Sequence, residues 1–210
     1  MDPENHIAEF WRKNKCEYAG DVVSLEVIRL SKKYINGEVL DAGAGSGSLI
    51  SKIPNALGID LAPKDSKIIK GDITKMPFED KRFGTVFATE VLEHLSDDIL
   101  EASLKEIKRV LRPGGFFILT VPYNEDIEKN KIECPKCGEK FHKWGHLQSF
   151  DENKMKHILE DKGFKIVGIK ALPLSGMAKH RFLKHFKWLI QKATGRFYPT
   201  NLFVISKNES

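Results

Sequence analysis

The chain has 210 residues, of which 41% are hydrophobic and 30% are charged, and this composition excludes a disordered or fibrous protein. Its apolar runs are shorter than the roughly 20 residues of a membrane span, its polar N-terminus does not resemble a secretory signal, and its 3 cysteines exclude a disulfide framework. Residues 162–208 contain ten Lys and Arg and no acid, whereas residues 1–161 carry 24 basic and 28 acidic side chains, a net charge of −4. We therefore expect a cytoplasmic protein whose C-terminal quarter either faces an anionic partner or presents a basic surface to solvent.

The predicted elements alternate between helix and strand over the first part of the chain. Residues 3–36 are predicted to form a helix that ends at Asn36-Gly37 in the manner of a C-cap. Strands are predicted at 39–40, 55–60, 66–72, 83–89 and 116–122, with a helical pattern after the first strand and another over 97–111. This alternation predicts an α/β fold with a parallel sheet covered by helices on both faces.

The remaining residues add a capped helix and two strands. The helix is predicted within 149–164, and the strands at 165–172 and 200–207. We expect a single domain over residues 1–210, made of a helical cap at 1–37, an insertion at 123–148 and a basic insertion at 173–199.

The segment LDAGAGSGS places Gly43, Gly45 and Gly47 directly after a predicted strand. Glycines there allow a sharp turn and a close approach of a ligand to backbone amides. A dinucleotide fingerprint would require a further glycine at position 48, where Ser48 stands, and no Gly-Lys-Ser/Thr of a P-loop follows. Asp41, just before the glycines, would repel a phosphate and attract a cationic group.

Two further aspartates end predicted strands. Asp60 is positioned to accept hydrogen bonds from a ribose diol, and Asp72 to accept one from an adenine amino group. Either residue alone could instead cap the segment that follows it. Together with Asp41, the set predicts a nucleoside ligand that carries a positive charge and no phosphate.

These motifs resemble the class I S-adenosylmethionine-dependent methyltransferases, in the ubiquinone/menaquinone-biosynthesis-type group (methyltransferase type 11). The matching pieces are VLDAGAGSGSL, GID, GDITKMPFED, FATEVLEHL and VLRPGGFFILTVP, which cover about residues 38–122. The resemblance implies a Rossmann-like sheet of seven strands whose last strand is antiparallel, and S-adenosylmethionine as cofactor. It also implies cofactor contacts by Asp41, Ala42, Gly43, Ala44, Gly45, Asp60, Leu61, Asp72, Ile73, Thr89 and Glu90.

The insertion contains Cys134, Cys137, His142 and His146 at the spacing C-x2-C-x4-H-x3-H. A C-P-K-C-G knuckle points two sulfurs at one ion, and the two histidines would share a face of one helical turn, so the four residues predict a closed, structural zinc site. A site with both cysteines and one histidine, or a metal-free loop in which His146 contacts substrate, are the alternatives. Because the insertion follows the fifth strand of the sheet, we expect it to form part of a substrate lid.

The segment 173–199 predicts a basic amphipathic helix, with Phe182, Leu183, Phe186, Leu189 and Ile190 on one face and lysines around the other. Such a helix can pack on the sheet, lie on an anionic membrane, or contact nucleic acid, which we consider the weakest of the three.

Together these features predict an S-adenosylmethionine-dependent methyltransferase that acts on a small or lipid-like acceptor. Methyl transfer from a sulfonium mainly requires alignment, so the catalytic residues are left open. His94 is a candidate base and is otherwise a surface or capping histidine. The alternative functions are an RNA methyltransferase that uses the zinc segment and the basic region, and a non-catalytic S-adenosylmethionine-binding scaffold.

Overall fold

The computed structural model describes residues 19–133, 140–174 and 200–209. The described residues form the helices α1 (Ala19–Ser31), α2 (Asp97–Val110) and α3 (Glu152–Asp161). They also form the strands β1 (Val39–Ala42), β2 (Leu57–Asp60), β3 (Ile68–Lys70), β4 (Phe83–Thr89), β5 (Leu111–Pro122), β6 (Lys131–Glu133), β7 (Lys140–His142), β8 (Phe164–Leu172) and β9 (Asn201–Asn208).

Seven of these strands form one mixed sheet in the order β3-β2-β1-β4-β5-β9-β8. Strands β1 to β5 run parallel to one another, whereas β9 runs antiparallel to both β5 and β8. The predicted seven-stranded sheet with an antiparallel last strand is thus confirmed. Pairing of Ala42 with Ile59 and of Thr89 with Thr120 brings the carboxyl ends of the central strands to one edge, which is where sheets of this kind bind ligands.

Side chains of the central strands alternate between two buried clusters. Phe117 and Leu119 of β5 pack in the cluster that contains Leu104 of α2, whereas Ile118 packs in the cluster that contains Val27 of α1. Because neighbouring strand residues point to opposite faces, the two clusters lie on opposite faces of the sheet. Helices therefore cover both faces, as the alternating pattern predicts.

The predicted N-terminal helix over 3–36 ends earlier than expected, and its residues before 19 lie outside the described ranges. Helix α1 ends at Ser31 and is followed by a single 3-10 turn. Asn36 does not cap it: its backbone N–H donates to Thr85 Oγ1 at 3.0 Å, and its side-chain carbonyl accepts a hydrogen bond from Arg112. These contacts bind the segment to the end of the sheet, and this tertiary pairing replaces the predicted cap.

The prediction of a helix after the glycine loop is wrong. The segment contains only a 3-10 turn at Ile50–Lys52 before strand β2 begins at Leu57. Pro54 explains the short turn, because a proline disfavours helical backbone at the preceding residue.

Most of the predicted basic insertion lies outside the described residues, which end at Leu174 and resume at Thr200. The amphipathic helix therefore stays a prediction. No helix in the described ranges is long and apolar enough to cross a membrane.

Gly84 lies where β4 approaches the segment before β1, and this packing predicts a stability effect. A Cβ at Gly84 would come within 2.2 Å of the backbone oxygen of Asn36, so Gly84→Ala should force the backbone apart and destabilise the protein by about 2–3 kcal/mol. Gly168 in β8 is the matched control, because a Cβ there would meet nothing within 4 Å. Urea unfolding of both variants measures the difference, and equal stability of the two would contradict this packing.

Candidate cofactor and acceptor site

The glycine loop after β1 is held against the end of β2. The backbone N–H groups of Gly43 and Ala44 donate to the carbonyl oxygen of Ile59 at 2.9 and 3.0 Å. Gly43 has a φ of +83°, and a Cβ there would lie 2.5 Å from Val91 Cγ2. The loop thus needs a glycine at position 43 for both its conformation and its space.

Asp60 fixes the same loop from the end of β2. Its Oδ2 accepts a hydrogen bond from the Gly45 N–H at 2.8 Å, and its Oδ1 accepts one from the Ala62 N–H at 2.8 Å. Asp60 therefore does cap the segment that follows it, as the alternative interpretation of this residue predicted. Because each carboxylate oxygen has two lone pairs, both oxygens can still accept a hydroxyl donor such as a ribose diol.

Asp41 is the buried acid of this site. It is 2% exposed, and within the described residues its Oδ1 has no hydrogen-bond partner. Burial, together with the charges of Asp60 and Asp21, raises the pKa of Asp41 from 3.8 to about 7. Three carboxylates around one glycine loop create a strong negative field, which favours a cationic ligand.

Asp21 was missed in the sequence analysis. It lies in the first turn of α1 and accepts a hydrogen bond from the hydroxyl of Ser46 in the glycine loop. An acid at the start of a helix is ordinary, and only the packing of α1 on the loop brings this carboxylate to the site.

The residues predicted to contact adenine, Asp72 and Ile73, follow β3, and Leu61, another predicted cofactor contact, follows β2. Asp72 Oδ1 accepts a hydrogen bond from the Thr74 N–H at 2.8 Å, so Asp72 also closes a turn. Ile73 is buried, whereas Leu61 is 44% exposed, an unusual state for a leucine directly after a buried strand. Leu61 thus offers apolar surface beside Asp60.

Glu90 follows the last residue of β4, Thr89, and has a φ of +56°, which is strained for a residue with a side chain. Its backbone N–H donates to the Thr120 carbonyl at 2.9 Å, and its Oε1 accepts a hydrogen bond from Asn201 at 3.0 Å. Burial raises the pKa of Glu90 above its ordinary value. Strand pairing and Asn201 of the antiparallel strand thus hold this carboxyl group in place.

A second cluster of ionisable groups lies one turn further on. Glu93 is 1% exposed, and neither of its carboxylate oxygens has a hydrogen-bond partner among the described residues. Burial and the charge of Glu90 raise its pKa well above the ordinary value. Next to it, burial and the charge of His146 lower the pKa of His94 to about 3, so His94 is neutral at physiological pH.

His142 and His146 come together as predicted, but not on a helical turn. His142 ends strand β7, and Gly145, with a φ of +76°, turns the chain so that the His142 and His146 rings stack at 4.6 Å between centroids. A glycine at positive φ ends helical geometry, which explains the difference. Cys134 and Cys137 lie outside the described residues, so the four-ligand zinc site stays a prediction.

Glu125 contacts both histidines. Its Oε2 pairs with His146 Nδ1, and its Oε1 lies 3.3 Å from His142 Nε2. Burial opposes ionisation of Glu125, but the hydrogen bond from His146 and the charges of both histidines bring its pKa below the ordinary value. Sequence spacing alone could not identify Glu125, because it precedes the β6–β7 hairpin and meets the histidines only through the fold.

The part of the chain that contains the glycine loop and Asp60 is similar in sequence to known proteins. Residues 40–119 match the family model of a methyltransferase domain. The chain is also 28% identical over 200 residues to an uncharacterised protein of Methanocaldococcus jannaschii, across 79% of this chain and 78% of that one. It is 29% identical over 130 residues to a demethylmenaquinone methyltransferase of Staphylococcus haemolyticus, and the match spans about half of each chain, 54% in both cases.

Among solved structures, the fold is similar to that of Burkholderia thailandensis 1,6-didemethyltoxoflavin-N1-methyltransferase, which contains bound 1,6-didemethyltoxoflavin and S-adenosylhomocysteine. The TM-score is 0.64, the identity is 15%, and the match covers 100% of this chain and 92% of that one. At this identity the likeness shows a shared fold. The family match and the fold together support the predicted class, the class I S-adenosylmethionine-dependent methyltransferases.

Proposed function

We propose that the protein transfers a methyl group from S-adenosylmethionine to a small or lipid-like acceptor. The observation that carries the proposal is the buried carboxylate of Asp41, whose Oδ1 has no hydrogen-bond partner among the described residues, beside a glycine loop that Asp21 and Asp60 also contact. The negative field of these carboxylates favours a cationic nucleoside without a phosphate. S-adenosylmethionine is such a ligand, because it carries an ammonium group and a sulfonium group. The methyltransferase-domain match over residues 40–119 supports the same ligand.

The residues of the site suit binding and alignment. Asp41 and the glycine loop would hold the methionine part, Asp60 the ribose, and Leu61 and Asp72 the adenine. When bound, S-adenosylmethionine supplies an electrophilic methyl group on a good leaving group. Thr89 and Glu90, held by strand pairing at the adjacent strand end, would line the side from which the acceptor approaches, so that the displacement is in line and shielded from water.

Exposed apolar residues favour an acceptor with an apolar part. Ile132, Phe141, Trp144 and Leu147 are 46%, 40%, 45% and 55% exposed, and all belong to the segment 123–148. Ile132 and Phe141 are paired across the β6–β7 hairpin. A group of exposed apolar side chains on one segment is typical of a binding surface. Under this proposal the segment covers the acceptor, with Cys134 and Cys137 as the predicted ligands of its zinc.

Asp60 provides a first test of cofactor binding. Asp60→Asn should weaken S-adenosylmethionine binding by about tenfold in calorimetry, because it removes a charge-assisted acceptor and loosens the Gly45 contact. Asp65→Asn is the matched control, because Asp65 is half-buried and its carboxylate, like that of Asp60, accepts a hydrogen bond from a nearby backbone N–H, that of Lys67. If wild-type protein does not bind the cofactor, or if both variants bind as tightly as wild type, the proposal is wrong.

A further inference from the structure

Glu93 is a buried acid whose carboxylate oxygens have no hydrogen-bond partner among the described residues. Its side chain is 1% exposed, and its Oε1 lies 3.9 Å from His94 Nε2. A buried carboxyl group without hydrogen bonds costs several kcal/mol, so natural proteins normally pair such a group or bind a metal ion with it.

Two histidines have the geometry of ligands beside Glu93. His94 Nδ1 lies 3.1 Å from the carbonyl oxygen of Gly145, and His146 Nδ1 pairs with the Glu125 carboxylate. Both acceptors require a hydrogen on Nδ1, which leaves the lone pair of a neutral ring on Nε2. A metal-ligating histidine typically donates its other ring N–H to a carbonyl or carboxylate in this way.

The three side chains converge on one point. One ligand atom from each of Glu93, His94 and His146 lies within 4.8 Å of the others, and the rings of the two histidines meet edge to face at 4.8 Å. We propose that Glu93, His94 and His146 bind a divalent transition-metal ion. Two imidazoles and one carboxylate form a donor set suited to Zn²⁺, Fe²⁺, Co²⁺ or Mn²⁺.

His142 has a different role in this arrangement. Its Nδ1 accepts a hydrogen bond from the His146 backbone N–H at 3.0 Å, so a neutral His142 carries its hydrogen on Nε2, which faces Glu125 at 3.3 Å. His142 and Glu125 thus orient His146 as outer partners of the ion. Two of the three ligands of this site, Glu93 and His94, are absent from the predicted zinc site, and only His146 is common to both.

The position of the ion suggests what it does, and this step rests on the proposed function. Glu93 follows β4 and Glu125 follows β5, so the site lies at the sheet edge that also carries the glycine loop. Three protein ligands leave coordination positions open for an acceptor oxygen. The acceptor would then be a hydroxyl compound: the sulfonium–methyl bond breaks, an oxygen–methyl bond forms, and the hydroxyl proton passes to water.

Metal binding can be measured without any methyl acceptor. Full-length protein treated with EDTA and then dialysed should bind one Mn²⁺ per chain in equilibrium dialysis and unfold at a higher temperature with Mn²⁺ than without it. Glu93→Gln and His94→Gln should each weaken Mn²⁺ binding at least tenfold. Glu38→Gln should not, because Glu38 is exposed and paired with Arg82. Mn²⁺ is chosen because thiolates bind it poorly.

Cobalt separates this site from the cysteine–histidine alternative. The double variant Cys134→Ser/Cys137→Ser should bind Mn²⁺ as wild type does, and it should still bind Co²⁺, in a complex that lacks a thiolate charge-transfer band. The proposal is overturned if wild-type protein binds no Mn²⁺, if Glu93→Gln binds it as tightly as wild type, or if the double cysteine variant loses it. Calorimetry of the EDTA-treated protein with S-adenosylmethionine tests the proposed function separately, since metal binding without cofactor binding would refute only that function.

Discussion

Wild-type protein should bind S-adenosylmethionine at least tenfold more weakly at pH 5.5 than at pH 7, and Asp41→Asn should remove this dependence. In the unliganded protein Asp41 has a pKa of about 7, so it takes up a proton as the pH falls below that value. The cofactor's positive charge favours the ionised carboxylate, and binding therefore releases one proton and weakens by up to tenfold per pH unit. At pH 7 and above, Asp41→Asn should bind about 30- to 150-fold more weakly than wild type, equivalent to about 2–3 kcal/mol.

Calorimetry with two ligands identifies the group that Asp41 contacts. S-adenosylhomocysteine keeps the ammonium group and lacks the sulfonium charge, so an equal pH dependence for both ligands assigns Asp41 to the ammonium. Between pH 5.5 and pH 7 this ammonium group stays mostly protonated, so its own titration contributes little to the comparison. A flat pH profile for wild type with both ligands would refute the role of Asp41.

Asp41→Asn should also stabilise the unliganded protein at high pH. The pKa of Asp41 is raised from 3.8 to about 7 on folding, so its contribution to stability is full below pH 3.8 and is lost as the pH rises through 7. At pH 8 the variant should therefore be more stable to urea than wild type, by a margin on the order of 4 kcal/mol at most. Weaker binding by a more stable protein would show that the loss of affinity is not caused by unfolding.

The position of the candidate cofactor residues in the fold was predictable from the sequence because each lies at or just after the end of a predicted strand. Gly43 and Asp60 stand directly at strand ends, and the order of parallel strands brings such ends to a single edge. Short motifs therefore locate this region without knowledge of the packing. The sequence did not predict that Asp60 would also fix the loop, because that contact depends on the distance between two neighbouring strands.

The cluster of Glu93, His94, Glu125 and His146 was largely beyond sequence reasoning because it joins three separate segments. Glu93 and His94 follow β4, Glu125 follows β5, and His146 follows the β6–β7 hairpin. His146 was predicted as a metal ligand because of its spacing from the cysteines. In the structure its Nδ1 contacts the carboxylate of Glu125, which the sequence pattern does not indicate. Spacing patterns describe ligands that come from one local segment, and they miss sites that tertiary packing assembles.

Gly43→Ala should weaken S-adenosylmethionine binding by about 100-fold, and Val91→Ala should restore part of it. Two effects act at this position. The φ of +83° costs an alanine about 1–2 kcal/mol, and the added Cβ would lie 2.5 Å from Val91 Cγ2. The loop must shift to relieve the clash. This shift moves the Gly43 and Ala44 N–H groups away from the Ile59 carbonyl and displaces the loop that we propose binds the cofactor.

A double-mutant cycle separates these two effects. Val91→Ala removes both Cγ atoms and leaves the Cβ, which lies 3.4 Å from the new methyl group, an ordinary contact. Gly43→Ala/Val91→Ala should therefore bind S-adenosylmethionine about tenfold more tightly than Gly43→Ala and still less tightly than Val91→Ala alone. If the double variant binds no better than Gly43→Ala, backbone strain accounts for the whole loss. A ligand that lies against the backbone amides of this loop could not bind normally once the loop has shifted. If Gly43→Ala binds S-adenosylmethionine as tightly as wild type does, the cofactor therefore does not depend on this loop.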